Sequence, residues 1–192
     1  MVDPLQWKAS FSKVVQRHEL SAPLREAALS QRLGRWTSLL TSAAVESFNT
    51  IGYKATAKGN KLSLLPLSRS EYLSLDVVVF PLAETRWTFP TAVVELENSK
   101  EDDKVAYSLW KVLCIRDALR VVFCYRADSE EGVRLVRHLR DDVVRVLDLE
   151  QRPRLSGDTV IVVGQKGEAE SFPYSYFKWW RLNTNTTNFE PI

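Results

Sequence analysis

The sequence predicts a mixed α/β fold, a central sheet flanked by helices with a helical addition at the N-terminus. Three observations carry that expectation. Short runs rich in β-branched residues, YLSLDVVVF, TAVVELE, LRVVFCY and TVIVV, occupy 72–80, 91–97, 119–125 and 159–163. They are too apolar on both alternating faces for either face to lie in water, which is the mark of a sheet covered on two sides. Stretches of helical period separate them, and the first fifty residues are helical in pattern.

Trp7 to Gln16 reads as a short helix, and Pro23 followed by LREAALSQRL as a second that opens with proline in its first turn. A third runs from Trp36 to Ile51, where Leu39, Leu40, Ala43, Ala44 and Phe48 recur at helical spacing. The segment GYKATAKGNKLSLLPLS breaks this pattern, and its Gly59-Asn60 pair marks a hairpin turn between two short extended pieces. A strand over Tyr72–Phe80 is closed by Pro81, and the next has its regular part after Pro90. Ser99, with Asp102 three residues later, gives a capping-box-like start to a helix whose apolar stripe is Val105, Leu109, Val112 and Leu113. The strand–helix–strand unit over 91–125 should then be a parallel crossover. Asp128 and Glu131 cap a helix through Leu147, Thr159–Val163 is a further strand, Phe172–Leu182 is aromatic and extended, and the tail NTNTTNFEPI reads as irregular. The chain of 192 residues is expected to form one domain: an addition over 1–35, a core over 36–125, and a helix and strands over 126–192 that complete the sheet.

Composition narrows the function classes. With 45% hydrophobic and 26% charged residues the chain is ordinary globular material, large enough to fold without a disulfide or metal staple. Cys114 and Cys124 lie in apolar runs and read as buried, reduced thiols. His18 and His138 stand at no zinc-ligand spacing. No glycine-rich phosphate loop, nucleophile elbow or dinucleotide fingerprint occurs, so no organic cofactor is expected. The N-terminus lacks a leader pattern and no apolar run is long enough to span a bilayer, which points to a cytoplasmic protein without a membrane partner. A net charge of +2 leaves any affinity for a polyanion to local clusters.

The acidic residues carry the chemistry. Side chains alternate along a strand, so Glu95 and Glu97 share a face about 6.6 Å apart. Two carboxylates at the end of a buried strand are costly to desolvate unless a positive charge compensates. A divalent cation does so well, since Mg²⁺ prefers one or two carboxylates with water and substrate phosphate. Asp76, set in LSLDVVVF, is the natural third ligand. A sugar hydrolase is disfavoured, because its two acids must flank a bond from opposite sides.

In this arrangement the sequence resembles the PD-(D/E)XK nucleases. Their core runs helix-β-β-β-helix-β, with an Asp on one strand and an (Asp/Glu)-x-Lys on the next. Asp76 is similar to the first acid, and Glu95-Leu96-Glu97 to the second motif, over residues 36–125. The resemblance implies a restriction-endonuclease-like core and Mg²⁺-dependent cleavage of DNA, with Mn²⁺ as a substitute ion and a restriction or defence role. It also implies a homodimer where both strands are cut. Glu46 matches an acid that the family often carries on its first helix. Glu97 stands where the family usually has lysine, as in some active restriction enzymes, and the lysine function is alternatively supplied by Lys100, Lys104 or Lys111. Asp76, Glu95 and Glu46 would then hold metal, with Glu97 and a lysine completing catalysis. Lys58 and Lys61 precede the Asp76 strand, and Lys178 and Arg181 flank Trp179-Trp180; with Lys111 they are candidates for nucleic-acid contact. The competing expectation, supported by the missing lysine, is a non-catalytic nucleic-acid-binding or assembly module of the same fold.

Overall fold

The apolar runs pair with one another in chain order. The computed structural model describes residues 1–62, 64, 71–85, 87–148 and 150–192. Among them, one seven-stranded sheet comprises β1 (Tyr53–Ala57), β2 (Val77–Pro81), β3 (Ala92–Leu96), β4 (Ala118–Arg126), β5 (Gly157–Gln165), β6 (Phe177–Asn183) and β7 (Asn188–Pro191). The order across the sheet is the order along the chain. β3, β4 and β5 run parallel and the remaining pairs are antiparallel. The expected crossover is present: α4 (Asp102–Leu113) carries the chain from the end of β3 to the start of β4.

Alternation along the strands divides the interior into two layers. Val77, Val79, Ala92, Val94 and Leu96 face α1 (Pro4–Gln16), α2 (His18–Leu29) and α3 (Leu33–Thr50). That layer is aromatic: Trp7 stacks on Phe48 at 5.1 Å and meets Trp179 edge-on at 5.7 Å. Val78, Phe80, Val93, Val122 and Ile161 form an aliphatic layer under α4 and α5 (Ser129–Leu139). Burying one such large side chain is worth about 1.5–3 kcal/mol, so each layer anchors its helices firmly. Asp76 shares its parity with Val78, and Glu95 with Val93. The same alternation that builds the core therefore turns both acids toward α4.

Several elements depart from the sequence reading. α2 opens at His18, so Pro23 lies inside the helix rather than in its first turn. The missing N–H leaves the Glu19 carbonyl without a helical partner, at an exposed residue where water can serve. β2 begins at Val77, not Tyr72, because a Tyr72–Leu75 bridge closes a turn with Leu73 and Ser74 at φ 57° and 54°. The turn at Gly59 is present, with φ +85° and a bridge between Ala57 and Asn60, while residues 63 and 65–68 of its expected second arm lie outside the described residues. The tail is not irregular. Asn183 Oδ1 accepts from the backbone N–H groups of Asn185 and Thr186, which turns the chain back into β7. Cys124 is buried but Cys114, at the C-terminal end of α4, is exposed.

Candidate active site

β2 and β3 are antiparallel with Val77 opposite Val94. One further step of that register sets Asp76 opposite Glu95, a cross-strand neighbour relation in which two like charges repel. Asp76 Oδ2 accepts from the backbone N–H of Leu96 at 2.7 Å, which ties the mouth of β2 to the end of β3. Glu95 is only 5% exposed. Its Oε2 pairs with Lys111 Nζ at 2.7 Å, and Lys111 also donates to the Ser74 carbonyl at 2.8 Å. Its Oε1 is buried and has no hydrogen-bond partner.

The electrostatics follow from that geometry. Burial pushes the Glu95 carboxyl up to about 7; the Lys111 hydrogen bond and, more weakly, the Asp76 backbone N–H oppose the rise, and the Asp76 charge adds to it. Burial also raises Asp76, against the stabilising Leu96 N–H. Near neutrality this pair therefore holds its second negative charge with difficulty. An added cation would relieve both acids.

Glu97 lies just past β3, on the α4 side as strand alternation requires. Its backbone N–H donates to the Phe123 carbonyl at 2.9 Å, its Oε1 accepts from the Ser99 N–H at 2.7 Å, and its Oε2 accepts from the Ser108 hydroxyl at 3.5 Å. Its charge reaches Asp76 and raises the affinity of that acid for a proton.

The structure separates the candidate lysines. Lys111 stands at the acid pair. Lys104 pairs with Glu101 at 2.8 Å one helical turn away and feels the charge of Glu97. Lys100 turns away from the acids toward Arg126 and Lys166, beyond the ends of β4 and β5.

Glu46 is not brought to the site. α3 lies on the opposite face of the sheet, where Glu46 pairs with Arg17. The end of α3 near the acids is marked by Thr37, whose hydroxyl accepts from the Asn98 amide at 2.9 Å. Nine residues of helix, about 13.5 Å, separate Glu46 from that point. Lys58 is exposed in the turn after β1, beside Ala57, which pairs with Val77 next to Asp76; Lys61 follows it, also exposed. Arg181 is not at this end: it pairs with Asp158 at 2.6 Å near the start of β5. Lys178 is on β6, about 14 Å from β3 across three strand spacings. Trp179 packs into the aromatic layer and Trp180 against the aliphatic one, so this cluster serves the core.

The donor set fits one divalent ion rather than a closed cage. Among the described residues no three Asp, Glu, His or Cys side chains converge on a point. The orphaned Glu95 Oε1 and the adjacent Asp76 leave two carboxylates for a cation whose remaining positions take water and phosphate, the pattern Mg²⁺ favours.

The order α3-β1-β2-β3-α4-β4 within a mixed, helix-flanked sheet is that of a restriction-endonuclease-like fold. Among solved structures the chain is similar to NucC from E. coli MS115-1 in its cAAA-bound form, with a TM-score of 0.50 and 16% identity over 100% of this chain and 84% of that one. No family model matches the chain, and no curated protein gives a significant sequence match. No described helix is long and apolar enough to cross a membrane.

The sequence offered no sign that Lys111, of three candidates, would meet Glu95. It also gave no weight to Lys166. The one available signal was its place immediately after a parallel strand, where ligands of open α/β sheets gather.

Proposed function

We propose that the protein is a divalent-metal-dependent nuclease that hydrolyses phosphodiester bonds of DNA, an E-x-E variant of the PD-(D/E)XK type with a restriction or defence role. One observation carries this reading: a buried glutamate with an orphaned carboxylate oxygen, set opposite a second raised acid and against a lysine. Asp76 and Glu95 would hold the ion, Mg²⁺ or in its place Mn²⁺, which when bound supplies polarisation of the scissile phosphate and a more acidic water. The Leu96 N–H orients Asp76, and the Ser74 carbonyl orients Lys111. Lys111 then presents its ammonium where charge develops on the phosphate, the part that lysine plays in the usual motif. Glu97, steadied by the Ser99 N–H, accepts a proton from the attacking water. Lys58 lies at the same end of the sheet and suits backbone contact. A homodimer, which would place two such centres on two strands, belongs to the same proposal.

Plasmid incubated with Mg²⁺ or Mn²⁺ tests it. Nicking by the protein, lost in Glu95→Gln, is the expected result; intact plasmid at every metal concentration counts against it.

The Lys111–Glu95 ion pair favours a second reading. Lysine already offsets the buried acid, which is what a non-catalytic module of this fold would need. That reading expects DNA binding or a protein partner without dependence on metal.

A further inference from the structure

Beyond the C-terminal ends of β4 and β5, on the same end of the sheet as the acid pair, lies a cavity of about 510 Å³. Lys100, Tyr125, Arg126 and Lys166 line it. A second cavity of about 320 Å³ shares Lys100, Tyr125 and Lys166 and extends toward Asn98 and Trp36. The acids present are already engaged. Asp102 pairs with Arg126, and Glu131 faces Arg134 and accepts from the Ala127 N–H. Among the described residues neither Lys100 nor Lys166 makes an ion pair or a side-chain hydrogen bond. The Lys166 ammonium is held below its ordinary range, first by burial and then by the charges of Lys100 and Arg126. On the inner side of the same cavities the Tyr125 hydroxyl is buried against Trp36, whose ring lies 5.8 Å from that of Tyr125 and whose Nε1 is the hydroxyl's hydrogen-bonding neighbour. Lys100 and Lys166 are thus two exposed cations at the rim of one cavity whose acids are already engaged, an arrangement that suits an incoming anion.

We propose that Lys100 and Lys166, at the rim of this cavity, form a second phosphate subsite, which grips the nucleic-acid strand away from the bond at the acid pair. Lys100 follows Glu97 by three residues, at most about 10 Å of extended chain. At about 3.4 Å of duplex axis per phosphate on one strand, that reach covers roughly two or three nucleotides. The subsite rests on the nucleic-acid reading above but not on cleavage. Its function is to hold the strand in register across the end of the sheet.

The test uses the whole protein in EDTA with a fluorescent single-stranded oligonucleotide, followed by anisotropy over a range of salt. Replacing Lys100→Ala and Lys166→Ala together should weaken binding about tenfold and reduce the salt slope by about one. The corresponding double replacement by arginine should retain binding, which separates charge loss from misfolding. Unchanged affinity and slope in the double alanine variant would overturn the subsite. Inorganic phosphate or a mononucleotide competing at the same concentration as unlabelled oligonucleotide would overturn its assignment to a strand. Because no divalent ion is present, the result is independent of nicking. Lysine-dependent binding with intact plasmid under Mg²⁺ sinks the nuclease reading alone, and nicking without lysine-dependent binding sinks the subsite alone.

Discussion

Arg120 and Glu95 are both charged side chains buried in this sheet, as is Arg126, and the protein treats the first two differently. Arg120 of β4 is 0% exposed, yet its guanidinium donates to the carbonyls of Ile115, Leu155, Ser156 and Asp158 at 2.9–3.4 Å. Burial lowers its proton affinity to about 10, which still leaves it charged near neutrality. Glu95 of β3 is buried almost as deeply, with one oxygen on Lys111 and its carboxylate otherwise helped only by the backbone N–H of Asp76, too poorly placed to satisfy Oε1. Arg120 knits the start of β4 to the chain entering β5, whereas Glu95 sits at the far end of the sheet beside another acid. A buried charge with a partner at each of its polar atoms is structural support. One left partly unmet, against a like charge, is what the proposed metal site calls for.

Breaking the two sites should give opposite results. The largest effect expected is on activity: Glu95→Gln should reduce plasmid nicking by a factor of about 10³, while urea denaturation shows the apo-protein no less stable than before. Arg120→Met should do the reverse. It strands several carbonyls and should cost about 3 kcal/mol in the same denaturation experiment.

The pH dependence sharpens the contrast. The Glu95 carboxyl rises from an ordinary 4.5 to about 7 in the folded protein. Between those values the native state binds more protons than the unfolded chain, so stability falls as pH rises through that window. At roughly 1.4 kcal/mol per decade of proton affinity, the metal-free protein should lose about 3 kcal/mol between pH 4.5 and 7 on this account. Glu95→Gln should flatten that slope, as measured by denaturation across the window. Lys111→Met should lower nicking by about 10², since it removes the cation nearest the acid pair. The smallest effect belongs to Glu46→Ala. It breaks a surface pair with Arg17 and should change stability by no more than about 0.5 kcal/mol, with nicking unaltered.

How much of this was legible in the sequence depends on how far each inference had to reach. Period-two alternation gave Glu95 and Glu97 one face of their strand, because parity follows from the pleat once a strand exists; that Asp76 stands across from Glu95 comes from the β2–β3 register. The parallel crossover was legible for a similar reason, since a helix between two apolar runs leaves few other paths. Glu46 was misplaced because its position depends on how far α3 slides along the sheet, which the Thr37–Asn98 contact sets and no local pattern reports. Lys104 and Lys111 could not be ranked, since the angle at which α4 crosses β3 decides which ammonium reaches Glu95, and Lys100 lies in the link before that helix. β7 went unseen because Asn183 turns the chain through side-chain hydrogen bonds hidden in a polar, strand-poor composition.

Titration of Mn²⁺ into metal-free protein at pH 8, followed by calorimetry, tests the central claim most directly. One ion per chain for the wild type, with that binding abolished in Glu95→Gln and in Asp76→Asn, is the predicted result. Binding unchanged by either substitution, or no binding to the wild type, would contradict it.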